Sequence, residues 1–167
     1  MAELKKQIIH PDIIKGVADD IRIVYSPFHG TGNVPVRRIL SELGFKHVYV
    51  VPEQELPDPD FTTLEYPNPE DSKAFTLALK LAKEKNADIV LATDPDADRL
   101  GIYALDTKTG EYVPFTGNMS GMLIAEYILR ERTATKTMPA NPALVTTIVT
   151  TNMARAIAEA YGVRFVE

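Results

Sequence analysis

Residues 87–92 read Ala-Asp-Ile-Val-Leu-Ala, an apolar run whose only charge is Asp88, and the chain then runs into Asp94-Pro95-Asp96-Ala97-Asp98-Arg99. The run has the length and composition of a buried strand, bounded by a turn. Three carboxylates therefore lie at a strand's exit, which in open α/β sheets is where ligands collect. Alternate residues of an extended segment point the same way, so Asp94, Asp96 and Asp98 are expected to converge on one ion, with Pro95 stiffening the first step. Unpaired, they would repel one another and raise each other's pKa. A hard divalent cation removes that conflict, and all-oxygen ligation with room for water and a phosphate oxygen suits Mg²⁺. Arg99 adds a planar fork for phosphate.

Three other readings compete. A calcium EF-hand loop also begins D-x-D-x-D, but it needs Gly at its sixth position and Glu at its twelfth, where this chain has Arg99 and Leu105. A dehalogenase-type phosphatase places D-x-D after a hydrophobic strand and expects Thr or Val two residues beyond the second Asp; Asp98 stands there instead. The bland alternative is a solvated acidic turn, and such turns rarely follow a buried strand this regularly. The metal reading is favoured.

Strand and helix patterns alternate along the chain. After a helical lead over Ala2 to Ile9 and a Pro11-containing segment, Ile21 to Tyr25 reads as a buried strand, Ser26 to Gly32 as a glycine loop and Val34 to Leu43 as a helix stopped by Gly44. Lys46 to Val51 reads as a strand. Pro52 to Pro69 is a proline- and acid-rich excursion that neither a helix nor a sheet interior would tolerate, so it is expected to be a functional loop or a wrap. Ser72 to Lys85 carries helical periodicity and feeds the Asp88 to Ala92 strand. Leu100 to Leu105 and Tyr112 to Phe115 predict a hairpin turned at Thr107 to Gly110, and Gly117 to Arg130 a helix with Asn118 as its cap. From near Arg132 a polar, proline-bearing linker leads to a strand Ala143 to Thr150, a helix Asn152 to Tyr161 and a strand beginning at Val163. Strand, helix and half a strand cannot bury a core, so the last ~35 residues read as the opening of a further domain and the chain as a fragment.

Composition narrows the function classes. The chain has 167 residues, 45% of them hydrophobic, enough for one well-buried α/β domain with something extra. Eighteen basic against 23 acidic residues give a net charge of −5, with no basic cluster, so nucleic acid is not an expected partner. No apolar run approaches the ~20 residues of a membrane span and Met1 to Lys15 has no signal-peptide core, so no membrane association and a cytoplasmic location are expected. The absence of cysteine removes disulfides and thiolate chemistry.

The glycine loop, Ser26-Pro27-Phe28-His29-Gly30-Thr31-Gly32, joins a strand to a helix N-terminus, where free N–H groups and the helix dipole favour an anion. It fits neither G-x-G-x-x-G nor G-x-x-x-x-G-K-[ST], so nucleotide binding is unsupported. Two readings stand side by side: a phosphate contact through His29 and Gly30, or a tight turn. Likewise His29 is a general acid or a loop anchor. His10 and His47 have no catalytic pattern around them, and the glycosylation-like Asn118-Met119-Ser120 has no secretion signal to accompany it.

With these residues in view, the run Asp88 to Gly101 (DIVLATDPDADRLG) together with His29 to Gly32 (HGTG) resembles the second domain of the α-D-phosphohexomutases, the phosphoglucomutase and phosphomannomutase family. Both motifs stand in that family's order and spacing. The stretch from Pro52-Glu53-Gln54 through Asp58-Pro59-Asp60-Phe61 to Tyr66-Pro67-Asn68-Pro69-Glu70 resembles the branch of phosphoglucomutases and phosphopentomutases. The resemblance implies an α/β fold with a mixed β-sheet layered with α-helices over residues 1–131, then a linker and the opening β-α-β of a similar third domain over 132–167. It also implies a mutase in which a phosphoserine on a first domain donates its phosphoryl group to a sugar phosphate, a bisphosphate turns over in the cleft, and the other phosphate returns to serine. Asp94, Asp96 and Asp98 match the family's Mg²⁺ ligands, and Arg99 matches the arginine that steadies the phosphoryl group. The implied partners are a sugar phosphate and the parent chain's remaining domains. The family's serine commonly stands in a Ser-His-Asn-Pro context absent from this sequence, so the chain alone is expected to be inactive. A freestanding phosphatase or a non-catalytic phosphate-binding module is the alternative class, and phosphopentomutase or phosphomannomutase the alternative within the family.

Overall fold

The computed structural model describes all residues, Met1–Glu167. By its internal contacts the chain forms two compact units, Met1–Thr116 and Gly117–Glu167.

The first unit opens with two short helices, α1 (Ala2–Lys5) and α2 (Pro11–Val17). The second is absent from the sequence reading, although Pro11 is its signal: at the first helical position the missing N–H costs nothing and the fixed φ is already helical. The sheet follows, built from β1 (Arg22–Ser26), β2 (His47–Val50), β3 (Ile89–Thr93), β4 (Leu100–Asp106) and β5 (Glu111–Phe115) in the order β2-β1-β3-β4-β5. β1 pairs in parallel with both β2 and β3, whereas β3–β4 and β4–β5 are antiparallel. Connection length explains the change of sense. The parallel pairs are joined across long stretches holding α3 (Asn33–Glu42), α4 (Pro52–Glu55) and α5 (Thr76–Lys85), while short loops after β3 and β4 permit only a reversal. Pro114, which has no N–H for a ladder, lies on β5 at the sheet edge, where a proline is tolerated.

The core lies between the sheet and α5. Ala78 and Ala82, one turn apart on α5, are fully buried with Val24 of β1 and Val90 and Ala92 of β3. Phe75 is also fully buried, its ring edge-on to Phe28 at 5.7 Å and tilted against Tyr103 at 4.7 Å. Burial of such a side chain contributes about 1.5–3 kcal/mol. Asn86, in the left-handed conformation, ends α5, and the Tyr112 hydroxyl lies 3.0 Å from the Ala82 carbonyl and 2.6 Å from that of Ala87. Asp88, the one charge in the apolar run, accepts a hydrogen bond from the Arg22 N–H at 2.8 Å and so closes the lower end of β1.

The excursion departs from expectation in one respect. Val51 is followed by a single helical turn, α4, because Pro52 stands at its first position, where proline starts a helix instead of breaking it. The remainder to Pro69 carries no regular element. The helix predicted over 72–85 begins as a 3₁₀ turn, Ser72–Phe75, whose N-terminus the Asp71 side chain caps through the Lys73 N–H at 2.9 Å.

The second unit holds α6 (Gly117–Ala134), β6 (Ala143–Val145), α7 (Met153–Ala160) and β7 (Arg164–Val166), with β6 and β7 parallel. The sequence boundary at 131/132 placed α6 with the first unit, yet Met122 and Leu129 of α6 join the cluster formed with Ala154, Ile157, Ala158 and Val163. Asn118 does not cap α6; its Oδ1 accepts from the Thr151 N–H at 2.9 Å. The strand expected over 143–150 stops at Val145, and the Thr150 N–H closes a turn on the Thr147 carbonyl at 2.9 Å.

Candidate metal centre

Parallel pairing places three sequence-distant segments at one edge of the sheet. Ser26 is opposite Ala92, and Tyr25 is opposite Val50. The glycine loop after β1, the excursion after β2 and the aspartate loop after β3 thus emerge side by side from the carboxyl ends of neighbouring strands.

The aspartate loop joins β3 to β4 as a turn, and here the expectation of an extended segment is corrected. Ala97 has φ +61°, and its N–H bonds the Asp94 carbonyl at 3.0 Å, while the Asp94 N–H reaches the Arg99 carbonyl at 3.4 Å. The reversal toward β4 begins immediately after Thr93, so no run of alternating residues exists. The turn nonetheless brings the carboxylates of Asp94, Asp96 and Asp98 together, with ligand oxygens all within 4.8 Å of one another.

The three acids differ. Asp94 is buried, 1% exposed, and both its oxygens are held: Oδ1 accepts from the Arg99 N–H at 3.0 Å and Oδ2 from Arg99 Nε at 2.7 Å. Burial pushes its carboxyl up, and the Arg99 hydrogen bonds outweigh that, so the net shift is downward. Asp96 and Asp98 are exposed. The Asp98 carboxyl is pushed up, first by its hydrogen bond to Asp94 in the protonated form and then by the Asp96 charge. Such crowding of like charge is what a bound cation relieves.

The donor set fits a hard cation. All three ligands are carboxylates, and each Asp94 oxygen keeps a lone pair beyond its Arg99 contact. An octahedral Mg²⁺ holds oxygens at about 2.0–2.1 Å, so its ligands lie at most about 4.2 Å apart. The bound of 4.8 Å on the oxygen separations is close to that reach.

Arg99 lies where the sequence placed it, beside the acids, but its Nε is engaged by Asp94 and lies 3.7 Å from an Asp98 oxygen. The side chain is 48% exposed.

His29 is buried, 7% exposed, at φ +62°. Its Nδ1 donates to the Leu56 carbonyl at 2.8 Å, and its Nε2 lies 2.7 Å from the Thr63 hydroxyl. The carbonyl requires a proton on Nδ1, so in the neutral ring Nε2 accepts from Thr63. Of the two roles read from the sequence, this geometry is the anchor: both nitrogens tie the glycine loop to the excursion. The amides of residues 28–31 are also occupied internally. The N–H of Phe28 bonds Ser26 Oγ, that of His29 the Gln54 carbonyl, that of Gly30 the Pro27 carbonyl and that of Thr31 the Pro95 carbonyl. Gly30 itself is pressed against the aspartate loop.

Thr63 and the Tyr25–Thr93 pair are parts of this site that no sequence pattern marks, and Thr31 and Gln54 lie in quoted stretches that gave them no role. Gln54 is fully buried, accepting from Ser26 Oγ at 2.7 Å, and Tyr25 and Thr93 share a hydrogen bond of 2.8 Å. Their partners are 28 and 68 residues away in sequence, so only the fold pairs them.

Comparison with known proteins agrees with this architecture. Residues 3–107 match the family model described as phosphoglucomutase/phosphomannomutase, alpha/beta/alpha domain II. Among curated relatives, a phosphoglucomutase of Staphylococcus epidermidis is 35% identical over 95% of this chain and 30% of its own length. A probable phosphomannomutase of Haemophilus influenzae is 39% identical over 71% of this chain and 24% of its own. Among solved structures, a phosphoglucomutase/phosphomannomutase family protein of Burkholderia thailandensis superposes with a TM-score of 0.64 at 20% identity, covering 94% of this chain and 32% of that one. Parafusin, a phosphoglucomutase of Paramecium, superposes with a TM-score of 0.62 at 16% identity, covering 99% and 28%. The chain belongs to the phosphoglucomutase/phosphomannomutase family of phosphohexomutases, and its five-stranded mixed sheet has the family's second-domain fold. It spans about 30% of the length of the phosphoglucomutase it matches.

Proposed function

We propose that this chain is the metal-binding portion of a Mg²⁺-dependent phosphosugar mutase that interconverts glucose 1-phosphate and glucose 6-phosphate. One observation carries the reading: three carboxylates converge at a strand exit, beside an arginine fork, within a second domain of phosphohexomutase type. In this reading residues 1–131 are that second domain, and residues 132–167 are a linker and the opening of the third. The phosphoryl-bearing serine and the sugar-recognition and distal phosphate loops belong to the rest of the parent chain, so the chain alone is inactive.

Asp94, Asp96 and Asp98 would hold the ion. Bound there, Mg²⁺ supplies neutralisation of charge on the phosphoryl group, which is the main requirement of in-line transfer. The chain's own residues do the rest. Asp94 holds Arg99 by its Nε edge, which would leave the remaining nitrogens of the fork for a phosphoryl oxygen. Asp96 and Asp98, on the exposed side of the turn, face the cleft where the donor arrives. With only these three carboxylates to hold it, the isolated chain would bind Mg²⁺ weakly; micromolar affinity by calorimetry would contradict this.

The 39% identity to a probable phosphomannomutase favours mannose phosphate as the second substrate to test. The deciding experiment is conversion of glucose 1-phosphate by the full-length parent, with Mg²⁺ present or chelated and glucose 1,6-bisphosphate as activator. We expect magnesium-dependent turnover that Asp96→Asn abolishes. Turnover with mannose or ribose phosphate alone would reassign the substrate, and none with any sugar phosphate would reject the mutase reading. The proposed location is the cytoplasm; no helix of the chain is long and apolar enough to cross a membrane.

A further inference from the structure

We infer that the glycine loop is a clamp that sets the conformation of the aspartate turn, with Thr31 as the positioning residue; its consequence at the ion rests on the metal reading above. The Pro95 carbonyl, in the middle of the turn, accepts two hydrogen bonds, from the Thr31 N–H at 2.8 Å and from Thr31 Oγ1 at 3.1 Å. Both lone pairs of that oxygen are then taken by one residue.

The two backbones touch. A Cβ on Gly30 would lie 2.4 Å from Pro95 Cα and 2.5 Å from its carbonyl oxygen, so any side chain there pushes the turn away. A Cβ on Gly32 would lie 2.5 Å from Thr93 Oγ1, 2.7 Å from the Tyr25 hydroxyl and 3.2 Å from Ala97 Cβ. Gly32 therefore seats on the Tyr25–Thr93 hydrogen bond, immediately before Asp94. The clamp has a firm backing, because the His29 N–H bonds the Gln54 carbonyl at 2.9 Å and the His29 ring is held by Leu56 and Thr63.

The turn needs such support. Ala97 sits at φ +61°, a region that costs a residue with a Cβ and persists only where the surroundings over-determine it. Pro95 lies between Asp94 and Asp96, so fixing its carbonyl fixes the relative placement of the first two carboxylates. Thr31 offers no ligand itself. It acts through Pro95.

The test uses this chain, with amide hydrogen exchange and Mn²⁺ as the probe ion followed by electron paramagnetic resonance. Thr31→Val removes the hydroxyl donor and keeps the shape; Thr31→Ser restores the donor; Gly30→Ala forces the backbones apart. Gly16→Ala, with nothing within 4 Å of the added methyl, is the control. In Thr31→Val the amides of Ala97 and Arg99 should exchange roughly threefold to tenfold faster, the equivalent of one net hydrogen bond, and Mn²⁺ affinity should fall by a similar factor. Thr31→Ser should return both to the wild-type values, while Val90 and Tyr103 amides stay unmoved in both Thr31 variants. Unchanged Ala97 and Arg99 exchange in Thr31→Val overturns the clamp, whether or not Gly30→Ala folds. Mn²⁺ binding that depends on Asp96 but not on Thr31 also overturns it, and leaves the metal reading standing. Accelerated exchange in a chain whose wild type takes no Mn²⁺ supports the clamp on the backbone and overturns its consequence at the ion in the isolated chain.

Discussion

Asp94 differs from its two neighbours in what it is for. Its burial and its two Arg99 contacts make it a structural element of the turn as well as a ligand candidate, whereas Asp96 and Asp98 project from it. Asp94→Asn weakens the charge-assisted bonds of a buried group, and we expect a loss of about 1–3 kcal/mol in urea denaturation. Asp96→Asn should leave the denaturation midpoint unchanged; an equal loss in both variants would contradict the distinction. A second residue-scale prediction concerns Glu42, which pairs with Lys5 Nζ and Arg38 Nε, each at 2.7 Å. Those bonds, Lys5 first, hold its carboxyl at about 2 against an ordinary 4.5. A depressed carboxylate contributes stability that is fully present above pH 4.5 and is lost as the pH falls toward 2. The pair is exposed, so the contribution is modest and screened by salt. Carboxyl-detected NMR should show Glu42 titrating near 2, with Lys5→Met moving the midpoint upward; a wild-type midpoint at 4.5 would refute the pairing.

At the scale of elements, β4 carries the aspartate turn into the sheet at a point where it has no room to spare. A Cβ on Gly101 would lie 2.7 Å from Phe75 Cζ and 2.7 Å from both Cβ and the carbonyl oxygen of Pro69. The end of the excursion and the aromatic core therefore close on the residue two positions after Arg99. Gly101→Ala must displace backbone as well as a ring, and overpacking of this kind costs roughly 1–3 kcal/mol. Thermal denaturation should register it, and the Arg99 amide should exchange faster in the same variant. An unshifted transition would mean that Pro69 yields freely. The elements were largely legible in the sequence. β1, α3, β2, β3 and the β4–β5 hairpin fall within a residue or two of their predicted bounds, because each has a strong period and a clear stop. The misses at α2 and α4 share one cause. The segment with Pro11 was assigned no element and Pro52 was read as a breaker, whereas proline at a first helical position is a starter.

At the scale of the molecule, the two units differ in how much they bury. The first encloses fully buried Val24, Phe28, Phe75 and Val90. The second has strands of three residues and leaves Val145 68%, Ile148 86% and Val149 81% exposed. Small units with little enclosed apolar surface open at lower free energy. The Thr146 and Arg164 amides, bonded to the Val166 and Pro142 carbonyls, should therefore lose protection from exchange at a lower urea concentration than the amides of Val24 and Val90. Simultaneous loss would show one cooperative unit.

The boundary between the units was legible only in part. The polar stretch around 131–142 has a linker's composition, yet α6 packs with α7 because its apolar residues find their cluster downstream. The crowding of charge in the aspartate loop could be read from the sequence alone, since three carboxylates and an arginine after a buried strand are a local pattern that carries its own electrostatic conflict. The form of that loop could not be. A turn with Ala97 left-handed replaces the extended run because β4 must return antiparallel beside β3, and a pairing direction is decided by partners distant in the chain. The glycine loop shows the same division more sharply. Its glycines announced a tight or close-packed backbone, but whether they faced a phosphate or another strand's loop depended on β1 and β3 lying side by side, and that adjacency exists only once the sheet has formed.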